Sequence, residues 1–448
     1  MVVLLYIMAF QGFSSSTTNS MEDSDAVPLV AQTPPRSLMV LLSDHNHELN
    51  YLLVSHLVSF LPDADKAQMR LVARKCRDYV DLTFFGPVYD PAMQITPFSS
   101  EISGGTIGSN IFGLLRSAQS RIIIASDKCT NEEFLDDLLA LPGITGRPLE
   151  IRVVTGEDPN TQRTLANPKY GGAIIHQAIP ANRDRSGKMH NKFIVVDDAL
   201  VVTRSPNLTF AAYNYNVESF VAIQHHFVAR LYLRYYEYIV SGKNKYDHTQ
   251  PEYRRVKKMM EVFNGALGNP IQVCLAPIFE IKTFVTRELD SSKAININMF
   301  LISRGSTQDD DIIANLLAAR RNGAAVTVKV DGNQYHGDAR DYMPDSLRPL
   351  CALGADVYTV VKHSEKMSTR TKKVIDTRPQ FHDKLILIQL ADGSKKVFIG
   401  SAGFTNNVQD NLNLENMVLL GIPSIYDVLL NHFTVIDASR RNLDVARL

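Results

Sequence analysis

The stretch from Gly187 to Phe210, GKMHNKFIVVDDALVVTRSPNLTF, sets a histidine and a lysine one residue apart at the head of an apolar run. Side chains two apart on a strand share a face, so His190 and Lys192 project together. Phe193 to Val196 is β-prone, Asp197 and Asp198 read as a turn, and Leu200 to Thr203 reads as the returning strand. Pairing Val196 with Leu200 puts Lys192 opposite Arg204 and brings His190 near Ser205, Pro206 and Asn207. An imidazole, an ammonium, a hydroxyl and an amide then gather at one end of one hairpin. Such a set suits an anionic, phosphorylated substrate, because the donors neutralise phosphate oxygens while the imidazole attacks or moves protons.

The same set recurs near the other end of the chain. QFHDKLILIQLADGSKKVFIGSAGFTNN carries His382 and Lys384, a Leu/Ile strand, a turn at Asp392 and Gly393, and a return ending in Gly400 and Ser401. Pairing Leu390 with Lys395 places Lys384 opposite Ser401 and His382 opposite Gly403. Each copy is trailed by Asn-x-Glu, Asn216 to Glu218 and Asn413 to Glu415, just before a further apolar strand. One His-x-Lys is a weak signal. Two hairpins with matching trailers signal a duplication.

The elements that must carry these hairpins also come in two series. A helix around Ile111 to Ala118, the strand RIIIAS, the helix NEEFLDDLLAL and the strand LEIRVV precede the first. A helix, then ININMFLIS, DDIIANLLAARRNGA and VTVKVDG precede the second. The alternation predicts an α/β fold with mainly parallel sheets covered on both faces. The duplication predicts a two-fold pseudodimer with both hairpins facing one cleft. The basic, Tyr-rich segment from Leu231 to Lys258 joins the copies as helix and linker. The chain accordingly divides into a disordered segment 1–37, a small helical module 38–85, a first half 97–262 and a second half 263–448.

A length of 448 residues leaves room for these parts, and 45% hydrophobic with 21% charged residues describes an ordinary globular protein. A formal net charge of zero argues against a generic nucleic-acid binder. Four cysteines without metal-binding spacing read as buried thiols of a reducing compartment. The opening run MVVLLYIMAF is too short to span a bilayer and lacks the basic flank of a signal peptide, and Met21 resembles an alternative start. Asn207-Leu208-Thr209 is a glycosylation sequon whose glycan would sit in the proposed site. The expected location is therefore cytoplasmic, with peripheral contact to membranes. His225 and His226 read as packing, SGGTIGSN as a plain loop, and the basic ANRDRSGK and KHSEKMSTRTKK as lips of the cleft.

The paired motifs resemble the phospholipase D superfamily, whose His-x-Lys-x4-Asp-x6-Gly-Ser-x-Asn occurs once per half of a pseudodimer. The likeness runs from about Pro97 to the C-terminus. The first copy matches at His190, Lys192, Asp197, Ser205 and Asn207, with Arg204 in place of glycine. The second matches at His382, Lys384, Gly400 and Ser401, but has Gln389 for the aspartate and Gly403 for the asparagine. The resemblance implies phosphodiester chemistry that needs neither metal nor cofactor. One imidazole attacks phosphorus to give a phosphohistidine while the other protonates the leaving alkoxide. Lys192 and Lys384 hold the non-bridging oxygens, and Glu218 and Glu415 orient the imidazoles. Water then completes hydrolysis, or an alcohol completes transfer. Ser205, Asn207 and Ser401 are expected at the substrate, with Asn406 or Asn407 replacing the amide lost at Gly403. Asp197 is expected to be structural, and Arg204 to crowd the site or add a phosphate ligand. The retained Asn207 favours His190 as nucleophile and His382 as acid.

The implied substrate is a phospholipid head group; the alternatives are a nuclease of the same superfamily and a catalytically dead adaptor. The last arises from residues Leu42 to Asp81, where Leu49, Leu52, Leu53, Leu57 and Phe60 keep helical spacing before Pro62. This segment resembles an F-box, which implies a Skp-type ubiquitin-ligase adaptor as partner. A helical hairpin packing on the catalytic body is the alternative.

Overall fold

The structure, a computed structural model, describes residues 93–448 except 104–105, 182–186, 242–248, 267, 306–310, 363, 368–373, 378 and 439–442. The expected segment 1–37 and F-box-like module 38–85 lie outside the described residues, as do parts of both basic lips.

The first half builds a seven-stranded sheet from β1 (Gln94–Ser99), β2 (Arg121–Ser126), β3 (Glu150–Gly156), β4 (Ile174–Ile179), β5 (Lys192–Val196), β6 (Leu200–Arg204) and β7 (Ser219–Gln224). Their spatial order is β1-β7-β6-β5-β2-β3-β4. The second half continues with β8 (Ile271–Ala276), β9 (Ser292–Met299), β10 (Ala325–Asp331) and β11 (Asp356–Lys362), and then a small hairpin, β12 (Ser364–Met367) and β13 (Val374–Thr377). It closes with β14 (Lys384–Leu390), β15 (Lys395–Gly400), β16 (Glu415–Leu420) and β17 (Leu443–Arg447). Its sheet order, β17-β11-β10-β9-β14-β15-β16-β8, repeats the first with β17 added at one edge. The chain is therefore a duplicated α/β protein.

The sheets are mixed rather than mainly parallel. Among the described strands, only β2–β3, β3–β4, β9–β10 and β10–β11 pair in parallel. Helix crossovers join those strands, whereas β5–β6 and β14–β15 are joined by short turns that permit only antiparallel pairing.

Strand β5 is buried throughout and apolar after Lys192, because both its faces are covered. Phe193 and Val195 enter a core shared by the two halves, and Ile194 and Val196 enter the first half's outer core. Strand β14 divides the same way, with Leu385 and Leu387 inward and Ile386 and Ile388 outward. The Tyr-rich connector forms two helices, His226–Val240 and Pro251–Asn264, that bury Tyr232, Tyr235 and Tyr238 in the shared core. Phe193 meets Tyr232 edge-on at 5.0 Å, a contact worth about 0.5–1.5 kcal/mol beyond its buried area. His225 caps the first of these helices, its ring accepting from the Phe227 amide.

Candidate active site

Each site hairpin is set by its turn. In the first, Val196 pairs with Leu200, and Phe193 with Thr203, so continuation of the register puts Lys192 opposite Arg204. Asp197, at φ 51°, accepts from the amides of Gln119, Ser120 and Arg121 and from the Ser120 hydroxyl, which ties the turn to the start of β2. In the second hairpin the expected register is wrong by one residue: Gln389, not Leu390, pairs with Lys395. The Leu390 amide donates to the Ser394 carbonyl, and Gly393 adopts φ +87° in a three-residue turn. That bulged turn is the form a glycine with positive φ favours. Lys384 therefore faces Gly400, and the two halves match residue for residue: Arg204 with Gly400, Ser205 with Ser401, and Asn207 with Gly403.

The two His-Lys pairs meet across the pseudo-two-fold, each held by a carboxylate from the other half. His190 Nδ1 lies 2.8 Å from Glu415 Oε1, and His382 Nδ1 lies 2.9 Å from Glu218 Oε1. Backbone contacts enforce this crossing: the His190 amide donates to the Leu414 carbonyl at 2.9 Å and the His382 amide to the Val217 carbonyl at 3.0 Å. Both glutamates are fully buried. Asn216 and Asn413 donate to Glu218 and Glu415 at 3.2 and 3.1 Å. Lys192 Nζ donates to His190 Nε2 at 2.9 Å, and Lys384 Nζ to His382 Nε2 at 3.2 Å.

Burial depresses all four cationic side chains. It is the leading cause that pulls the Lys192 ammonium down to about 7, with Lys384 the next contribution. Lys384 falls to about 8 through burial, against the attraction of Glu218 and Glu415. Burial lowers His382 to about 4 although Glu218 opposes it. His190 is also pushed well down, first by burial and then by Lys192 and Lys188. A site of neutral imidazoles and easily neutralised lysines is poised to receive a negative charge.

Several expected ligands stand elsewhere. Ser205 and Ser401, expected at the substrate, are fully buried and donate instead to Glu218 and Glu415. Arg204 is equally buried and adds no phosphate ligand, for its two terminal nitrogens donate to the carbonyls of Pro206 and Ala125. Asn406 is exposed, and its side-chain oxygen accepts from Ser303 at 2.9 Å. Asn407 lies beside it in the short helix Asn406–Gln409. Asn207 lines a cavity of about 280 Å³ with His382, Glu218, Asn216 and Lys128, and its buried Oδ1 has no hydrogen-bond partner.

Two residues at the site escaped the reading of the sequence. Asp127 follows β2 and brings Oδ2 to 4.0 Å from His190 Nε2 and 3.8 Å from Lys188 Nζ. Phe300 follows β9 and lays its ring 4.7 Å from that of His382. Superposing the two strand series would have singled both out, since each sits one residue past the strand that pairs with a site lysine.

The family model described as "Cardiolipin synthase, PLD-like domain" matches residues 111–240 and 285–436. Those two segments make up more than half of the chain. It is a phospholipase D-like protein. No curated protein matches it in sequence. Among solved structures, this phospholipase D-like chain is similar to phosphatidylserine synthase from Haemophilus influenzae Rd KW20, at 14% identity and a TM-score of 0.54, over 79% of this chain and 87% of that one. It is also similar to polyphosphate kinase from Porphyromonas gingivalis, at 12% identity and a TM-score of 0.52, over 79% of this chain but only 48% of that one. At these identities the likeness speaks for the fold.

Proposed function

We propose that this phospholipase D-like protein cleaves or transfers the head group of a phospholipid through a phosphohistidine intermediate. The observation that carries the reading is the crossed pair of His-Lys-Glu units, each completed by the other half. One imidazole, held as its Nδ1–H tautomer by a buried glutamate, presents a lone pair at Nε2 to phosphorus. The other delivers a proton to the departing oxygen. Lys192 and Lys384 neutralise the oxygens of the phosphoryl group as it is transferred. In this reading Asn207, at the cavity wall, adds a donor through its side-chain amide nitrogen.

A lipid substrate is supported by the family match, whose name is that of a lipid-forming enzyme, and by a net charge of zero, which gives no general attraction for polynucleotides. No helix of the described residues is long and apolar enough to cross a membrane.

The test is a substrate panel in EDTA, comparing cardiolipin and phosphatidylcholine vesicles, with and without a primary alcohol, against single-stranded DNA and RNA. Release or exchange of a lipid head group supports the proposal. Strand cleavage alone moves the chain to the nucleases, and inactivity on every phosphodiester leaves a binding protein.

A further inference from the structure

The surroundings of the two ring nitrogens differ between the two histidines. His190 has a carboxylate near each, Glu415 at 2.8 Å from Nδ1 and Asp127 at 4.0 Å from Nε2, where the Lys192 ammonium stands at 2.9 Å in the empty site. His382 has Glu218 at Nδ1, and the place equivalent to Asp127 is taken by the ring of Phe300. The equivalence follows from register, because Ser126 pairs with Lys192 and Met299 with Lys384. Asp127 is 8% exposed, so its charge is poorly screened. Its place is also built: a Cβ on Gly156 would stand 3.0 Å from Asp127 Oδ1, while the matching position in the second half is Asp331.

An imidazole flanked by carboxylates at both nitrogens favours its doubly protonated form, and one flanked only at Nδ1 keeps a lone pair at Nε2. A carboxylate beside Nε2 also repels the oxygens of an approaching phosphodiester. Burial first, and then Lys192, Lys188 and Lys384, oppose a charge on His190 in the empty site. Once phosphate oxygens pair with Lys192 and Lys384, the field of those two is offset, whereas those of Asp127 and Glu415 remain. The cavity lined by Asn207 and Lys128 reaches His382, which gives phosphorus a path to that ring.

Resting on the phosphohistidine reading above, we infer that Asp127 is a positioning residue that keeps the Nε2 proton on His190, making His190 the acid and base and His382 the nucleophile. The lone pair of His382 Nε2 attacks phosphorus, the P–N bond forms as the P–O bond to the leaving group breaks, and the Nε2 proton of His190 passes to that oxygen. In the second step His190 takes a proton from water as the water oxygen attacks phosphorus. The P–N bond then breaks and its electron pair returns to His382. This assignment reverses the one favoured by Asn207 in the sequence.

The test uses bis(p-nitrophenyl) phosphate, whose leaving group needs no proton. Wild-type protein quenched in alkali during turnover should carry the remaining p-nitrophenyl phosphoryl group on the peptide containing His382. His190→Ala should release close to one equivalent of p-nitrophenolate and stop, with that group on the same peptide, and His382→Ala should give no burst. Asp127→Asn should slow cleavage of an alkyl phosphodiester about a hundredfold, the low end of general-acid effects, and slow the p-nitrophenyl burst far less. It should also move the basic limb of the rate profile to lower pH, because an acid that loses a neighbouring anion deprotonates sooner, and Asp127→Glu should restore part of the rate. The phosphoryl group on the His190 peptide, or equal slowing of both substrates with an unmoved limb, overturns the assignment while leaving the phosphohistidine intact. A wild-type protein that cleaves neither this ester nor any phosphodiester overturns both.

Discussion

At the scale of single residues, the site holds two lysines and two histidines, all depressed by burial, whose charge an anion would balance. Lys192 and Lys384, at about 7 and about 8, are cationic below those values and neutral above them. Affinity for dimethyl phosphate, whose own charge is constant, should therefore weaken as pH rises from below about 7 to above about 8. In the same window binding should take up protons, because the bound anion raises both lysines. Titration calorimetry in two buffers of different ionisation enthalpy measures both effects. Affinity that is flat with pH would mean that the lysines stay charged in the empty site. His190→Ala and His382→Ala should each abolish turnover of the natural ester nearly completely, and the double variant should be little worse, since both imidazoles serve one transfer. Half the activity left in either single variant would instead mark two independent sites.

Elements differ in what they tolerate at matching places. Gly400 ends β15 against β16, where a Cβ would stand 2.2 Å from the Asn416 carbonyl oxygen and 2.7 Å from Met417 Cα. Both obstacles are backbone, so Gly400→Ala should cost about 1–3 kcal/mol or more in urea unfolding. The first half carries Arg204 at the matching position and houses the whole side chain. Asp197→Ala removes an acceptor of four hydrogen bonds from the β5–β6 turn. The expected cost is about 0.5–2 kcal/mol, as for a lost helix cap. Its kcat, measured well below the melting temperature, should stay near wild type, because the turn lies at the far end of the strand from His190. A large fall in kcat with stability unchanged would give Asp197 a part in the chemistry.

On the scale of the whole molecule, the halves are joined behind the site as well as across it. Asp383, between His382 and Lys384, points away from them and accepts from Ser219 of the first half, from Asn298 of β9 and from His432 at 3.0 Å. All four groups are fully buried. Burial pushes the Asp383 carboxyl up, but His432, Ser219 and Asn298 together bring it below its ordinary 3.8. Its contribution is therefore complete above about 3.8 and is lost as pH falls through the folded value. Asp383→Ala strands a buried histidine and should cost about 3–5 kcal/mol, read by chemical denaturation at neutral pH. A loss under about 1 kcal/mol would mean that water replaces the carboxylate.

The sequence by itself determined the duplication, the two hairpins and the identity of the histidines, lysines and glutamates, because strand periodicity and turn chemistry are local. His-x-Lys followed by an apolar run and a turn can be read from some twenty residues. Tertiary structure alone decided which glutamate serves which histidine, since Glu218 and Glu415 cross the pseudo-two-fold and no spacing along the chain encodes that crossing. It also decided that Ser205 and Ser401 serve those carboxylates rather than the substrate, for a hydroxyl on a strand reads the same whether it faces a cleft or a buried anion. The one-residue register of the second hairpin depended on how Gly393 closes its turn. Asp127 and Phe300 are unremarkable at the ends of their strands, and only parallel and antiparallel pairing brings one carboxylate and one ring against two otherwise equivalent imidazoles. Local physics supplied the chemical groups, and long-range packing set their partners.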